Sequence, residues 1–252
     1  MDSKINNMNA FVHLAKSLKH GIISFIIVVL FYSYGFASSI EVNPIRLEIL
    51  KNQKITSLEI KNNSLEAIVV QLNAVKWSHS FGKEIYDNTK EILITPPIVT
   101  INPNDTQLVR VGILSSRDSQ KGETYRVFVR EVPQAKPTLN LGVQTLLEIS
   151  IPLLVESLSP CEQKLAVAAS RTGSQELKVR VQNSGDSYII INKVKIKENK
   201  EAKPLVDQTI YNYLLPTQTK EWLLQLPQTI KCNNVIVTIV TNNGEFSETI
   251  QL

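Results

Sequence analysis

An all-β fold made of two β-sandwiches is predicted by three observations. Short apolar segments alternate with polar residues at a period of two, as in Val109, Val111 and Ile113 against Arg110 and Gly112. Clusters of Gly, Pro, Asn, Asp and Ser separate those segments at regular intervals. No segment after residue 40 sustains a helical period over three turns. A chain of 252 residues is also long enough for two domains of about 100 residues each.

In chain order, the first sandwich opens with 40–42 and 46–49, two alternating pieces that flank Pro44. It continues through 57–61, 68–77, 91–94, 107–114, 125–132 and 143–155. The gaps carry turn chemistry: Asn62-Asn63-Ser64, Phe81-Gly82-Lys83, Asn102-Pro103-Asn104-Asp105 and Lys121-Gly122. A boundary falls near 157–160. The pattern then resumes with 164–169, 176–183, 188–197, 220–226, 235–241 and 246–252. Its turns are Arg171-Thr172-Gly173, Asn183-Ser184-Gly185 and Asn242-Asn243-Gly244. The expected domains are therefore 38–157 and 158–252, with no internal repeat of fixed period. In Thr95-Pro96-Pro97 the turn is compatible with a cis bond before either proline.

The residues ahead of the first sandwich read as an export signal. Lys16, Lys19 and His20 precede the charge-free apolar run 21–32, and Gly35-Phe36-Ala37 offers small residues for cleavage after Ala37. No charge occurs from Gly21 to Ile40, which also suits an uncleaved anchor, but the strongly apolar part is short for a bilayer span. Cleavage of 1–37 is expected, with no stable membrane insertion afterwards. The formal charge of +4 comes from 27 basic and 23 acidic residues. Removing Lys4, Lys16, Lys19 and Asp2 with the signal leaves 24 and 22, or +2. No Lys/Arg run marks a nucleic-acid footprint.

The two cysteines, Cys161 and Cys232, both fall in the second domain. In an oxidising compartment they are expected to form a disulfide worth about 2–4 kcal/mol. No catalytic or metal-binding set is expected. His79 is the single histidine after the signal, and it sits in Trp77-Ser78-His79-Ser80 with no nucleophile pattern beside it. There is no Gly-x-Ser-x-Gly elbow and no glycine-rich phosphate loop. Four Cys/His zinc ligands cannot be assembled either. The sequence therefore points away from an enzyme and calls for no cofactor.

The most informative stretch is 141–155. Leu141, Val143, Thr145, Leu147, Ile149, Ile151, Leu153 and Val155 occupy one face, with Leu146 and Leu154 as exceptions on the other. An alternating strand of up to fifteen residues far exceeds the usual five or six. It is either a core strand with an overhang or a strand whose first half is offered to another protein by strand addition. Bare apolar edges are normally blunted with charge, and 141–147 contains none.

Five blocks resemble the periplasmic chaperones of the chaperone–usher pilus pathway, in particular the archaic branch. They are Val42-Asn43-Pro44-Ile45-Arg46-Leu47-Glu48; Val75-Lys76-Trp77-Ser78; Leu93-Ile94-Thr95-Pro96-Pro97-Ile98-Val99 with Gln107-Leu108-Val109-Arg110-Val111-Gly112; Tyr125-Arg126-Val127-Phe128-Val129-Arg130-Glu131-Val132-Pro133; and Ile149-Ser150-Ile151-Pro152-Leu153-Leu154-Val155. The second domain is similar mainly in length and strand content.

The resemblance implies two immunoglobulin-like domains set in an L, acting in the periplasm. Its implied partners are incomplete pilus subunits and an outer-membrane usher. The donor strand becomes 141–151, with Leu141, Val143, Leu147, Ile149 and Ile151 as donor residues. Burying four such side chains supplies roughly 6–12 kcal/mol before ordering costs, against at most about 1 kcal/mol for an exposed ion pair. The family's better-known branch grips the subunit's terminal carboxylate with an arginine on the first strand and a lysine near the end of the donor strand. Arg46 matches the arginine, but the lysine position falls at or beside Pro152, so Arg110 and Arg126 become candidate substitutes. Glu131 and Glu156 are the candidates for an interdomain ionic link. The alternative reading is a secreted structural protein, a pilus subunit or adhesin module; Pro44, Arg46 and Glu48 in the first strand speak against it.

Overall fold

The computed structural model describes residues 40–80, 83–114, 122–133, 145–158, 164–227 and 232–252, so the expected export segment 1–37 lies outside it. The described residues are all β. The first ten strands are β1 (Ile40–Asn43), β2 (Leu47–Ile49), β3 (Ile55–Asn62), β4 (Ile68–Ser80), β5 (Lys83–Asn88), β6 (Ile92–Thr95), β7 (Ile98–Ile101), β8 (Thr106–Ile113), β9 (Glu123–Glu131) and β10 (Glu148–Val155). They make two facing sheets, one ordered β1-β3-β8-β6 and the other β2-β10-β9-β4-β5, with β7 also paired to β4. Alternation decides which side chains meet: Leu58, Ile60, Val109, Val111, Tyr125, Val127, Val129, Ile151, Leu153 and Val155 share one core.

Between β1 and β2 the chain changes sheet. β1 pairs antiparallel with β3, whereas β2 pairs parallel with β10. The cis bond Asn43–Pro44 lies between them, and Pro44 has no N–H with which to continue the first ladder. Thr95–Pro96 is also cis. The sequence reading admitted that second bond and missed the first.

The second sandwich holds β11 (Leu165–Gly173), β12 (Glu176–Asn183), β13 (Ile189–Lys197), β14 (Val206–Leu214), β15 (Thr219–Gln225), β16 (Asn234–Thr241) and β17 (Gly244–Gln251). Its sheets run β11-β12-β15 and β14-β13-β16-β17 around a separate core that includes Leu177, Val179, Ile196, Val237 and Ile239. Strands β5, β7 and β14 were not anticipated. β5 buries no residue, and β14 is broken by a bulge, so neither shows alternation. Cys232 is half-buried with a free thiol, and Cys161 lies outside the described residues. The expected disulfide, which needs Cys161, therefore falls outside the described residues.

Each sandwich carries the same polar corner. Asn62 ends β3 and is fully buried; its Nδ2 donates to the carbonyls of Glu66 (2.8 Å) and Ile101 (3.0 Å). Asn183 ends β12, is equally buried, and donates to the carbonyls of Ser187 (2.7 Å) and Leu214 (3.0 Å). Each asparagine's own carbonyl accepts from a turn residue with positive φ: Asn104 (φ 60) in the first sandwich and Thr217 (φ 66) in the second. Asparagine tolerates that conformation, and a β-branched residue does not. Replacing Thr217 with Asn should therefore stabilise the protein by roughly 0.5–1 kcal/mol in urea unfolding, read as a shift in midpoint at constant m.

Candidate functional site: an open strand edge beside a cationic cleft

β9 pairs with β10 along all eight of its residues, but β2 covers only Leu153, Leu154 and Val155 on the other side. Backbone groups of successive strand residues point to opposite edges. The Glu156 N–H donates to the Ile49 carbonyl (3.0 Å), and the Leu147 carbonyl accepts from the Glu131 N–H (2.9 Å). Even-numbered residues therefore face the β2 side. Glu148 and Ser150 direct their backbone toward an edge that no described strand occupies, and the Pro152 carbonyl falls at the start of the β2 ladder.

The side chains on the core face of β10 lose cover along that edge. Val155, Leu153 and Ile151 are buried, Ile149 and Leu147 are half-buried, and Thr145 is exposed. Ile149 still touches the core. Ile151 is only 1% exposed inside the first core, where it anchors the strand at home. The fifteen-residue strand is corrected, because the described strand is Glu148–Val155 and 145–147 are irregular. Leu141 and Val143 lie outside the described residues. The apolar row is thus a continuation of the core face past the rim of its own sandwich.

On the face of this sheet turned away from the first core, both sandwiches build one wall of aromatic rings and cations. Trp77 and Leu154 from the first pack with Tyr188, Ile190 and Leu215 from the second in a small core of their own, with Tyr213 against it. The Tyr213 ring meets Trp77 edge-on at 5.7 Å and Tyr211 at 6.0 Å. Burial pushes the Tyr188 and Tyr213 hydroxyls up to about 12, so both stay protonated. Arg46 pairs with Glu48 (2.7 Å) and donates from Nη1 to the Tyr211 hydroxyl (3.1 Å). The Arg126 guanidinium lies over the Trp77 ring at 3.9 Å, on the residue directly across from Pro152.

The candidate cations part company here. Arg46 and Arg126 reach this wall, whereas Arg110 is exposed on β8, in register with Ser57 and Thr95 on the outer face of the other sheet. The whole core separates Arg110 from Arg126. The two candidates for the ionic interdomain link lie apart. Glu131 sits at the far end of β9 and accepts from the Leu147 N–H (3.3 Å). Glu156 does lie at the junction end, where it accepts from the Lys51 N–H (3.2 Å) and raises the Tyr188 hydroxyl through its charge. The junction also holds the Trp77–Leu154–Tyr188 cluster and the Arg46–Tyr211 hydrogen bond.

Sequence reasoning missed Lys220. It projects from β15, donates to Asn212 Oδ1 (2.7 Å), and has no carboxylate within ion-pair distance among the described residues. Burial lowers its pKa, the positive charge of Arg126 adds to that, and Glu84 opposes it. No sequence pattern flags a single lysine on a strand. Leu154, by contrast, was visible as an apolar exception to the alternation, and the second sandwich is what covers it.

Residues 39–157 match the family model for the pili and flagellar-assembly chaperone, PapD N-terminal domain. No curated protein matches in sequence. Among solved structures, the chain is similar to one from the CsuC–CsuE chaperone–tip adhesion subunit pre-assembly complex of archaic chaperone–usher Csu pili of Acinetobacter baumannii. That pair is 17% identical, covers 84% of this chain and 98% of the other, and has a TM-score of 0.57. The class 5 fimbriae chaperone CfaA is 12% identical over 85% and 100% of the two chains, with a TM-score of 0.58. A chain of the Salmonella enterica SafA pilin–SafB chaperone complex is 16% identical over 86% and 97%, with a TM-score of 0.55. At such identities the likeness is one of fold, and it extends over both sandwiches.

Proposed function

We propose, from the premise that this chain belongs through residues 39–157 to the family of pili and flagellar-assembly chaperones, that it captures an incomplete pilus subunit by lending it β10 and the residues just before it. The observation that carries this reading is the open edge of β10, flanked by an apolar row that runs out of the protein's own core. Strand addition at such an edge draws affinity from backbone hydrogen bonds and side-chain burial together. A subunit lacking one strand has the complementary defect. The protein acts after export, in the periplasm, and delivers the subunit to an outer-membrane usher. No cofactor, metal or reaction step is involved.

Leu147, Ile149 and the upstream Leu141 and Val143 form the lent row. Arg126 stands in for the lysine absent at Pro152, because it lies directly across from that proline and carries no ion pair among the described residues. The domains are 38–157, which lends the strand, and 158–252. A structural subunit is the poorer reading. Its first strand would be free for donation, and β1 is instead paired with β3 along its whole length.

Hydrogen exchange tests the edge directly. The amide protons of Glu148 and Ser150 should exchange freely in the isolated protein and slow by about a hundredfold or more once a subunit is bound. Unchanged exchange in a verified complex would place capture elsewhere.

A further inference from the structure

The first sandwich meets the second at a glycine. Gly122 leads into β9 and is half-buried against Ser187, in the turn between β12 and β13. A methyl group at residue 122 would stand 2.9 Å from the Ser187 hydroxyl oxygen, 3.7 Å from its Cβ and 3.4 Å from the Val155 carbonyl. The first of these distances is shorter than packed atoms tolerate, so no side chain fits between the sandwiches here. Backbone conformation does not ask for the glycine. Among the described residues Gly244 is the glycine with positive φ, and Gly122 lies outside the left-handed region. What residue 122 needs is the missing side chain.

Neither side of the contact can retreat. Glu123, next to Gly122, is in register with Val155, and Val155 with Ile49, so this backbone is tied into its own sheet. The buried Thr124 hydroxyl adds a bond to the Trp77 carbonyl (2.6 Å). On the opposite side, the Ser187 carbonyl accepts from the buried Asn183 amide (2.7 Å), which also holds the Leu214 carbonyl (3.0 Å). That corner positions the next residues, Tyr188 and Leu215, in the cluster that Trp77 and Leu154 complete. Domains of one chain normally move against each other unless their interface is large and apolar. Here a buried cluster draws the two together, and a stiff glycine–serine contact halts them. The Arg46–Tyr211 hydrogen bond spans the same gap (3.1 Å).

We propose that Gly122 and Ser187 form a mechanical stop that fixes how closely the two sandwiches approach, so that the cleft between them stands at one width before any partner arrives. Both are positioning residues, acting through the placement of the two bodies and not through contact with a bound polypeptide. The inference concerns the joint alone, and it holds or fails whether or not β10 is lent to a subunit.

The test needs only the purified protein. Residual dipolar couplings of the backbone amides report the orientation of each sandwich separately. In the parent protein one alignment tensor should fit both, as for a single rigid body. Gly122→Ala should keep the couplings within each sandwich consistent with its fold. It should rotate one sandwich against the other by about 5–10°, because a close-packed contact transmits a small overlap instead of absorbing it. Adding Ser187→Gly, which removes both the hydroxyl and the Cβ, should restore the parent orientation. Ser187→Val crowds the same contact from the other side and should turn the sandwiches as well, which gives the same readout should Gly122→Ala not fold. Unchanged orientation in Gly122→Ala and Ser187→Val, or sandwiches that already tumble independently in the parent, overturns the stop. So does a rotation or a fall in melting temperature that Ser187→Gly fails to reverse, because Gly122 then serves the first sandwich alone.

Discussion

Leu147→Asp should abolish recovery of a subunit with this protein while leaving the free protein folded. Leu147 lies past the rim of the first core, half-buried and outside the buried cluster that Ile151, Leu153 and Val155 share. What holds it in the free protein is backbone: its N–H and carbonyl both bond to Glu131. An aspartate keeps those bonds, so the cost to folding should stay below about 1 kcal/mol. In the proposed complex the same side chain enters the subunit's groove. Losing the leucine forfeits about 1.5–3 kcal/mol, and an unpaired carboxylate in a dry groove adds several more. A total above roughly 4 kcal/mol weakens binding by about a thousandfold or more, beyond what co-purification tolerates. Ile151→Asp is the informative contrast, because there the charge enters the protein's own core and should unfold the first sandwich. Melting curves separate the two. Undiminished co-purification with Leu147→Asp would mean that this strand is not lent.

Much of this arrangement was legible in the residues because burial of alternate side chains writes itself as a period of two. The core strands and the half-buried Leu147 and Ile149 ahead of Ile151 follow from that pattern. The division of the row did not. Ile151 and Ile149 are chemically equivalent and on one face, and only the position of the opposite sheet makes the first a core residue and the second a rim residue. Strands without alternation, such as β5 and the bulged β14, were invisible for the same reason. The cleft was harder still. Trp77, Tyr211, Tyr213, Arg126 and Lys220 are scattered from residue 77 to residue 220, and each reads as an ordinary strand residue alone. The rings and aliphatic side chains at the join, Trp77, Leu154, Tyr188, Ile190 and Leu215, come from both sandwiches and carry no pattern that links them in the sequence. One clue was overlooked: Leu154, apolar on the supposedly outward face, announced that something covers it.

Asn62→Leu should cost about 3–5 kcal/mol, a large share of the roughly 5–15 kcal/mol that holds a domain together. The position is completely buried, and leucine is close in size to asparagine, so a ledger of apolar area alone would forecast a gain. The bonds decide otherwise. Nδ2 serves the Glu66 and Ile101 carbonyls, while Oδ1 accepts from the N–H (2.9 Å) and hydroxyl (2.6 Å) of Ser64. Leucine takes the Asn62 amide away from the Ile101 carbonyl and the Ser64 N–H, although the Ser64 hydroxyl still reaches the Glu66 carbonyl (2.9 Å), and each unmet buried partner costs about 1–3 kcal/mol. Asn183→Leu should act likewise on the second sandwich, where Oδ1 accepts from the Gly185 N–H (3.0 Å). The two tryptophans, Trp77 beside the junction and Trp222 against the second core, allow urea unfolding to be followed by fluorescence in each sandwich. A loss under about 1 kcal/mol at Asn62 would mean that water or a shifted turn replaces the clamp. A loss of the expected size at both corners would show that the two sandwiches, unlike in sequence, close their strand ends by one device: a buried amide that ties a turn to the strand beneath it.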